Sequence, residues 1–473
     1  MVPYIWYKEG TWGEDGAPTP STDVKIDRAI ELEPGEIGYA NSIEFVNGKI
    51  VLKDGAQMIC NTNLTGTPIE IHIQKTITAA PNPEEDTPCG WHIVSVPMDE
   101  VKVYDEFENG TNFVSKSSPY DLMLYDEPTH WWWKYDDKNR YFKVAGKTHN
   151  NTHKGRGYLY RNAQNRSLEF TGKMNIGDVT YNLTRKGEKL KGFHLIGNPY
   201  VHGVYKGNGA AIPNTSEEGN QLLADGFYTL SDAGAWIAKT DNTDSIGVCE
   251  GILVKAINYG TLTMKNTISK GGSSKGKVNS ISFSVSNNTY EDVAYAIFDN
   301  GYGLNKIEHI NEDIPMVYIR HDDESFAIAT MGEGTRMFDL CFKAKTTGRY
   351  TLSVKPEGEF RYLHLIDRLT GEDIDMLKEQ EYSFVASISD NEERFSVLVD
   401  ENAVSDNDVF AFQNGDDIIV SGEGELQIFD VLARMVSRQR INGVTAIRKP
   451  DKAGVYILRL KGSKVKSQKI VVK

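Results

Sequence analysis

Cysteine is scarce in this chain, with four in 473 residues, at Cys60, Cys89, Cys249 and Cys341. Spacings this wide exclude a disulfide framework or a cysteine-ligated metal site, and they leave the redox compartment open. Basic charge is also in deficit: 52 Lys and Arg stand against 66 Asp and Glu, a net of −14. A chain with that balance offers no cationic field to phosphate, so nucleic acid is not an expected partner. No apolar run approaches the ~18 residues of a membrane helix, and no transmembrane segment is expected. The opening Met1-Val2-Pro3-Tyr4-Ile5-Trp6 lacks the basic start, apolar stretch and small-residue cleavage site of a secretory leader. Read alone, this places the chain in the cytoplasm or puts its true N-terminus further upstream.

Helical periodicity is scarce too. Apolar residues alternate with polar ones over short runs, as in Ser42-Ile43-Glu44-Phe45-Val46, Ser280-Ile281-Ser282-Phe283-Ser284-Val285 and Arg349-Tyr350-Thr351-Leu352-Ser353-Val354. Gly, Asn and Asp interrupt them at turn spacing, which predicts an all-β fold. With 39% hydrophobic and 25% charged residues the chain has the composition of a folded protein. At ~150 residues per domain its length suits several β-sandwiches.

Residues 1–85 carry short strand candidates with tight turns and are expected to form a solenoid-like or capping segment. Residues 86–267 contain a duplication. Gly90-Trp91-His92-Ile93-Val94-Ser95-Val96-Pro97 matches Gly192-Phe193-His194-Leu195-Ile196-Gly197-Asn198-Pro199, Trp131 matches Trp236, and Gly157-Tyr158-Leu159-Tyr160 matches Gly251-Ile252-Leu253-Val254. Halves 86–175 and 188–267 are therefore expected to share one origin and to pack as similar sheets. A Gly/Ser/Lys linker at 270–277 leads to an immunoglobulin-like sandwich over 278–400. A polar stretch at 400–408 then precedes a last module.

Candidate chemistry is thin. Gly272-Ser273-Ser274-Lys275-Gly276 satisfies Gly-x-Ser-x-Gly, and Ser274 with Lys277 satisfies Ser-x-x-Lys. Both lie in a linker rather than on the strand-to-helix elbow a nucleophile needs. His92 and His194 are equivalent, but strand alternation turns them to solvent or to an inter-strand hydrogen bond, and no other ligand stands at metal spacing. Asp136-Asp137-Lys138-Asn139 and Asp241-Asn242-Thr243-Asp244 read as solvated turns rather than calcium loops. Trp131-Trp132-Trp133 is the best binding feature, since aromatic faces stack on sugars. The match of Trp131 to Trp236 assigns it to the core and leaves Trp132 and Trp133 as the candidate glycan contacts. No catalytic centre, cofactor or metal is expected.

The last module alternates cleanly: Asp417–Val420, Leu426-Gln427-Ile428-Phe429-Asp430-Val431-Leu432-Ala433-Arg434, Ala453-Gly454-Val455-Tyr456-Ile457-Leu458-Arg459-Leu460 and Gln468-Lys469-Ile470-Val471-Val472-Lys473. Its end is basic, with nine Lys and Arg and one Asp over 448–473. That suits a docking surface or a Lys-guarded edge strand. A tight turn at Gly454 is expected to feed the strand carrying Tyr456. These ordered motifs resemble the type A C-terminal sorting domain of the type IX secretion system of Bacteroidota, over about 408–473. Two departures stand out: Ala433 where the family has Gly, and Phe410-Ala411-Phe412-Gln413-Asn414-Gly415 in place of an early Pro-Asn-Pro. The resemblance implies Asp430, Arg434, Gly454, Tyr456, Lys469, Val471 and Lys473 as sorting-signal residues. It also implies export through an outer-membrane translocon, processing by a sortase-like protease and anchoring to surface lipopolysaccharide, or release. The expected protein is then a non-catalytic surface or secreted one with structural or adhesive β-domains. The alternatives are a carbohydrate-binding accessory region, or the tail of a secreted hydrolase with its catalytic domain upstream.

Overall fold

The computed structural model describes residues 4–5, 17–80, 88–98, 120–136, 141–144, 147–149, 154–271, 278–321, 323–332, 335, 337–400, 410–462 and 465–472. The architecture is all-β and multi-sheet, and among the described residues one short 3-10 turn, Glu127–Thr129, is the only helical element. The expected linker signatures at 272–277 and 401–408 lie outside the described residues.

The first strands pair in parallel. Val24 pairs with Ile43 and Ile43 with Leu64 in one sheet; Ile30 pairs with Ile50 and Ile50 with Ile71 in the other. Each partner lies about twenty residues on, so the chain winds in stacked coils with these apolar side chains buried between the sheets. Gly35 and Gly55 mark the same corner of successive coils, both at φ 86°, a conformation that a Cβ would strain. The Gly35 N–H donates to the Gly55 carbonyl at 3.1 Å.

The strand Ile71–Ile77 ends this stack and pairs antiparallel with Arg166–Gly172. Coils and the first half of the duplicated region consequently share a sheet, and one apolar core runs from Val24 to Phe170 and Met174. That half's second sheet has the order His92–Val94, Tyr158–Asn162, Tyr120–Asp126, Trp131–Asp136, followed by two outer strands. The other half repeats this order as Phe193–Gly197, Gly251–Lys255, Phe227–Leu230, Trp236–Lys239. Its Val179–Leu183 and Gly260–Met264 pair as Ile71–Ile77 and Arg166–Gly172 do. The repeated unit thus begins at Ile71 rather than near residue 86.

The halves clasp each other reciprocally. Gly192 N–H donates to the Glu127 carboxylate of the first half at 2.9 Å, and Gly90 N–H donates to the Asp232 carbonyl of the second at 2.7 Å. Between them Trp91, Ile93, Leu159, Phe193, Leu195, Leu253, Tyr228 and Trp236 form one buried cluster, which also takes in Leu304, Ile307 and Ile328 of the next domain.

Residues 280–400 form one long sheet whose flanks close over a single core, with Phe283 against Phe338 at 5.9 Å and Phe384 against Phe395 at 5.1 Å. Tyr350 fastens its own corner by donating to the Thr346 carbonyl at 2.6 Å, four residues back, as sandwich corners often do. The last module is a smaller sandwich with its own core. A three-stranded sheet (Ala411–Asn414, Asp417–Ser421, Val444–Arg448) packs on a four-stranded one in the order Met435–Ile441, Gly424–Asp430, Gly454–Lys461, Val465–Val472.

Candidate functional site

The last module brings most of the motif residues to one end of its four-stranded sheet. Strand Gly424–Asp430 leaves the core through a five-residue turn in which Asp430 is the organiser. Its Oδ1 accepts the N–H groups of Leu432 and Arg434, both at 2.9 Å, and its Oδ2 accepts from the Arg434 guanidinium at 2.7 Å. Hydrogen bonding from the Arg434 amide, then from its side chain, holds the Asp430 carboxyl below its ordinary range. The turn places Ala433 at φ 60°, the left-handed region where a Cβ costs ~1–2 kcal/mol. Ala433 therefore stands at a position whose backbone calls for glycine. Ala433→Gly is expected to raise the module's stability by up to about 1 kcal/mol, after the extra freedom of the unfolded glycine is offset. Thermal melts of residues 408–473 check this, and an unchanged or lowered midpoint would contradict it.

Tyr456 sits across from Asp430 in the neighbouring strand and is buried there, its hydroxyl donating to the Lys452 carbonyl at 2.7 Å. This repeats the corner made by Tyr350. Gly454 opens the strand that carries Tyr456 at φ 158°, a backbone conformation that L side chains rarely adopt, although a Cβ would meet nothing nearer than Tyr456 at 3.9 Å. Backbone conformation, and not lack of space, calls for glycine at this position.

The final strand turns Ile470 and Val472 inward and Lys469 and Val471 outward. Lys473 lies outside the described residues. Gln468, to which the sequence assigned no role, joins the two sheets. Its Oε1 accepts the N–H groups of Phe410 and Ala411 at 2.7 and 2.8 Å, and its Nε2 donates to the Ala411 carbonyl. The last strand thus closes the sandwich as well as ending the chain.

The sheet's outer face is divided. Around the Asp430 turn it is apolar, with Leu432 at 69% exposure and Val471 at 54%, beside Val431, Met435, Val436 and Ile457. At the other end it is cationic, where Arg438, Arg440 and Lys461 line an open groove of about 500 Å³ with Glu425 as counter-charge. The basic balance of residues 448–473 pointed to Lys461, but Arg438 and Arg440 lie before that stretch and the sequence assigned them no role. The apolar patch was hidden because strand and turn residues far apart in sequence compose it.

The tryptophan run is placed differently from the sequence match. Leu159 pairs with Met123 and Met123 with Lys134; the counterparts Leu253, Tyr228 and Ala238 pair in the same way. This register makes Trp132 the counterpart of Trp236, and the two share one apolar cluster. Trp132 packs on Tyr125 with ring centroids 5.1 Å apart. Trp133 is 5% exposed, with its indole N–H directed at Thr129 Oγ1. Burial removes Trp133 as a glycan contact, while Trp132 is half-buried against Tyr125. Trp131, expected in the core, is the exposed member at 36%.

His92 and His194 keep their equivalence, each imidazole reaching the carbonyl of the threonine that follows a strand of the facing layer. His92 Nε2 is 3.2 Å from Thr78 O, and His194 Nε2 is 2.9 Å from Thr184 O. Among the described residues no three His, Cys, Asp or Glu side chains gather as a metal site. Asp241, expected in a solvated turn, instead faces inward as the partner of a fully buried lysine, Lys206, at 2.7 Å.

Comparison of the chain with protein-family models, with curated proteins and with solved structures finds no match.

Proposed function

We propose that the last module is an export and anchoring address, read in its folded state by a type IX secretion translocon and a sortase-like protease. The upstream coils and sandwiches are the non-catalytic structural or adhesive body that it delivers to the cell surface. The observation carrying this reading is the convergence of Asp430, Arg434, Tyr456, Lys469 and Val471 at one end of one sheet, where they border an outward apolar patch. Monomeric proteins rarely leave such a patch uncovered without a partner. The cationic groove on the same face suits the anionic groups of lipopolysaccharide.

The test fuses a signal peptide and a fluorescent protein to residues 400–473 in a Bacteroidota host possessing the machinery, with a matched version ending at Gly462. Delivery to the surface or medium is expected only with the final strand present. The truncation also removes core residues Ile470 and Val472, so a second variant, Lys469→Glu with Val471→Glu, alters outward side chains alone. It is expected to keep its fold by circular dichroism and to hold the reporter in the periplasm. Delivery by the version ending at Gly462, or retention of the unaltered fusion, would overturn the reading.

A further inference from the structure

A lysine, an asparagine and an aspartate meet in the interior of the second half of the duplicated region. Lys206 is fully buried and Asn214 nearly so, at 0% and 1% exposure. Lys206 Nζ is 2.6 Å from Asn214 Oδ1 and 2.7 Å from Asp241 Oδ1. Asp241 spans both residues, because its Oδ2 accepts from Asn214 Nδ2 at 2.5 Å. The Asn214 amide is oriented by its neighbours: its oxygen faces only the lysine, while its nitrogen faces the carboxylates of Asp241 and Asp225, the latter at 3.0 Å. With an amide C=O of ~1.23 Å, the lysine nitrogen can be no more than about 3.8 Å from the asparagine Cγ, close to a near-attack distance. Amine, amide carbon and a carboxylate touching both are the three parts of an acyl transfer, held where bulk water does not compete.

We infer that Lys206 and Asn214 become joined by an intramolecular isopeptide bond, with Asp241 as the proton relay. Asp241 takes a proton from the Lys206 ammonium, and the freed amine adds to Asn214 Cγ. The Nζ–Cγ bond forms, the Cγ–Nδ2 bond breaks, and Asp241 passes its proton to the departing nitrogen while taking a second from Nζ. Ammonia leaves and carries that second proton away as ammonium, which restores the carboxylate. Nothing is oxidised or reduced and no co-reactant is consumed. The bond would close the loop 206–214, which lies beside Asp225, a residue that reaches the next sandwich: Asp225 N–H donates to the Tyr302 carbonyl at 2.7 Å, and Tyr302 N–H donates to Asp225 Oδ2 at 2.9 Å. The inference is independent of the export reading, since it concerns a different domain and needs no secretion machinery.

The test is the denatured intact mass of the purified full chain, followed by a tryptic map. The chain is expected to be lighter than its sequence by one ammonia. Trypsin cannot cut after an acylated Lys206, so residues 192–239, which contain no other Lys or Arg before Lys239, are expected as a single peptide carrying that loss. Asp241→Ala is expected to restore full mass and cleavage after Lys206. An unaltered chain at full sequence mass overturns the inference whatever the variant does. So does a loss of ammonia with Lys206 still open to trypsin, the mark of a succinimide at Asn214. Persistence of the bond in Asp241→Ala would remove the relay assigned to Asp241.

Discussion

Asp367→Ala is expected to destabilise the 280–400 sandwich by about 3–5 kcal/mol, the range for stripping one partner from a buried ion pair. Asp367 is fully buried and Arg394 nearly so. The guanidinium engages the carboxylate through Nε, at 3.0 and 3.1 Å to its two oxygens, and through Nη2 at 2.7 Å. The remaining bonding capacity is used as well. Asp367 accepts from the Leu369 amide and the Tyr382 hydroxyl, each at 2.9 Å, while Arg394 Nη1 donates to the Val385 carbonyl at 2.8 Å. The guanidinium also lies over the rings of Phe384 and Phe395, at 4.5 and 5.4 Å from their centroids. With the carboxylate removed, the guanidinium keeps only Asp390, 3.8 Å from Nη1, as an acidic partner among the described residues.

The double variant Asp367→Leu with Arg394→Met removes both charges and is expected to recover most of the loss. Circular dichroism follows this transition, and the emission of Trp236 is expected to change with it, because its indole shares a buried cluster with Leu304, Ile307 and Ile328 of this domain. A double variant as unstable as the sum of its singles would refute the account. The pH dependence has a definite sign. Burial alone would raise the Asp367 carboxyl, but Arg394, the Leu369 amide and the Tyr382 hydroxyl together hold it below its ordinary value. Its stabilisation is then complete above the unfolded carboxylate pKa of ~3.9 and is lost as pH falls through the lower folded value.

What the sequence revealed and what it concealed divide along a physical line. Alternation is local: a strand such as Ser280–Ser286, with burial switching at every residue, is legible from its own side chains. The repeat was legible because Gly90 and Gly192 both take the left-handed conformation, at φ 74° and 79°, and glycine there is demanded by the backbone. Three adjacent tryptophans gave the wrong counterpart by one residue. Identity between single residues cannot fix register, and a shift of one exchanges the two faces of the strand. Over residues 1–85 the short strands and tight turns suggested a solenoid-like or capping segment, but the parallel register with its twenty-residue recurrence was not legible, because the recurrence holds in apolar position and not in residue identity. Buried charges were the least legible class. Lys206, Asp292, Asp367 and Arg394 look like surface residues until the fold supplies partners, and Asp367 meets Arg394 across 27 positions. The domain boundary near residue 86 failed for a related reason. Strand Ile71–Ile77 bonds to a parallel neighbour on one side and an antiparallel one on the other, which no local composition can show.

Glu127 carries the second large effect, because it fastens the two halves of the duplication. Its carboxylate is buried and accepts four donors from the second half: the Thr184 hydroxyl at 2.6 Å, and the amides of Lys186 at 3.0 Å and of Gly187 and Gly192 at 2.9 Å each. In Glu127→Ala three backbone N–H groups lose their acceptor in a place water does not reach, at ~1–3 kcal/mol each. A loss of at least about 3 kcal/mol is expected, measured as a lower urea midpoint by tryptophan emission. Thr184→Ala removes a single donor and is expected to cost only about 1 kcal/mol. Glu127→Gln should fall between the two, since its amide nitrogen must face either the Gly187 and Gly192 amides or the Lys186 amide. Burial by itself would raise the Glu127 carboxyl, but the Thr184 hydroxyl and the three amides outweigh it and hold the group low. The clasp is therefore fully formed above the unfolded value of ~4.3 and weakens as pH falls through the folded one. Because Gly90 returns the contact only through the Asp232 carbonyl, which does not titrate, acid should loosen one side of the reciprocal pair and spare the other. Hydrogen exchange at acid pH would show this as faster exchange at Lys186, Gly187 and Gly192 with Gly90 still protected; equal loss at all four amides would show that the halves open together and that Glu127 is not what holds them.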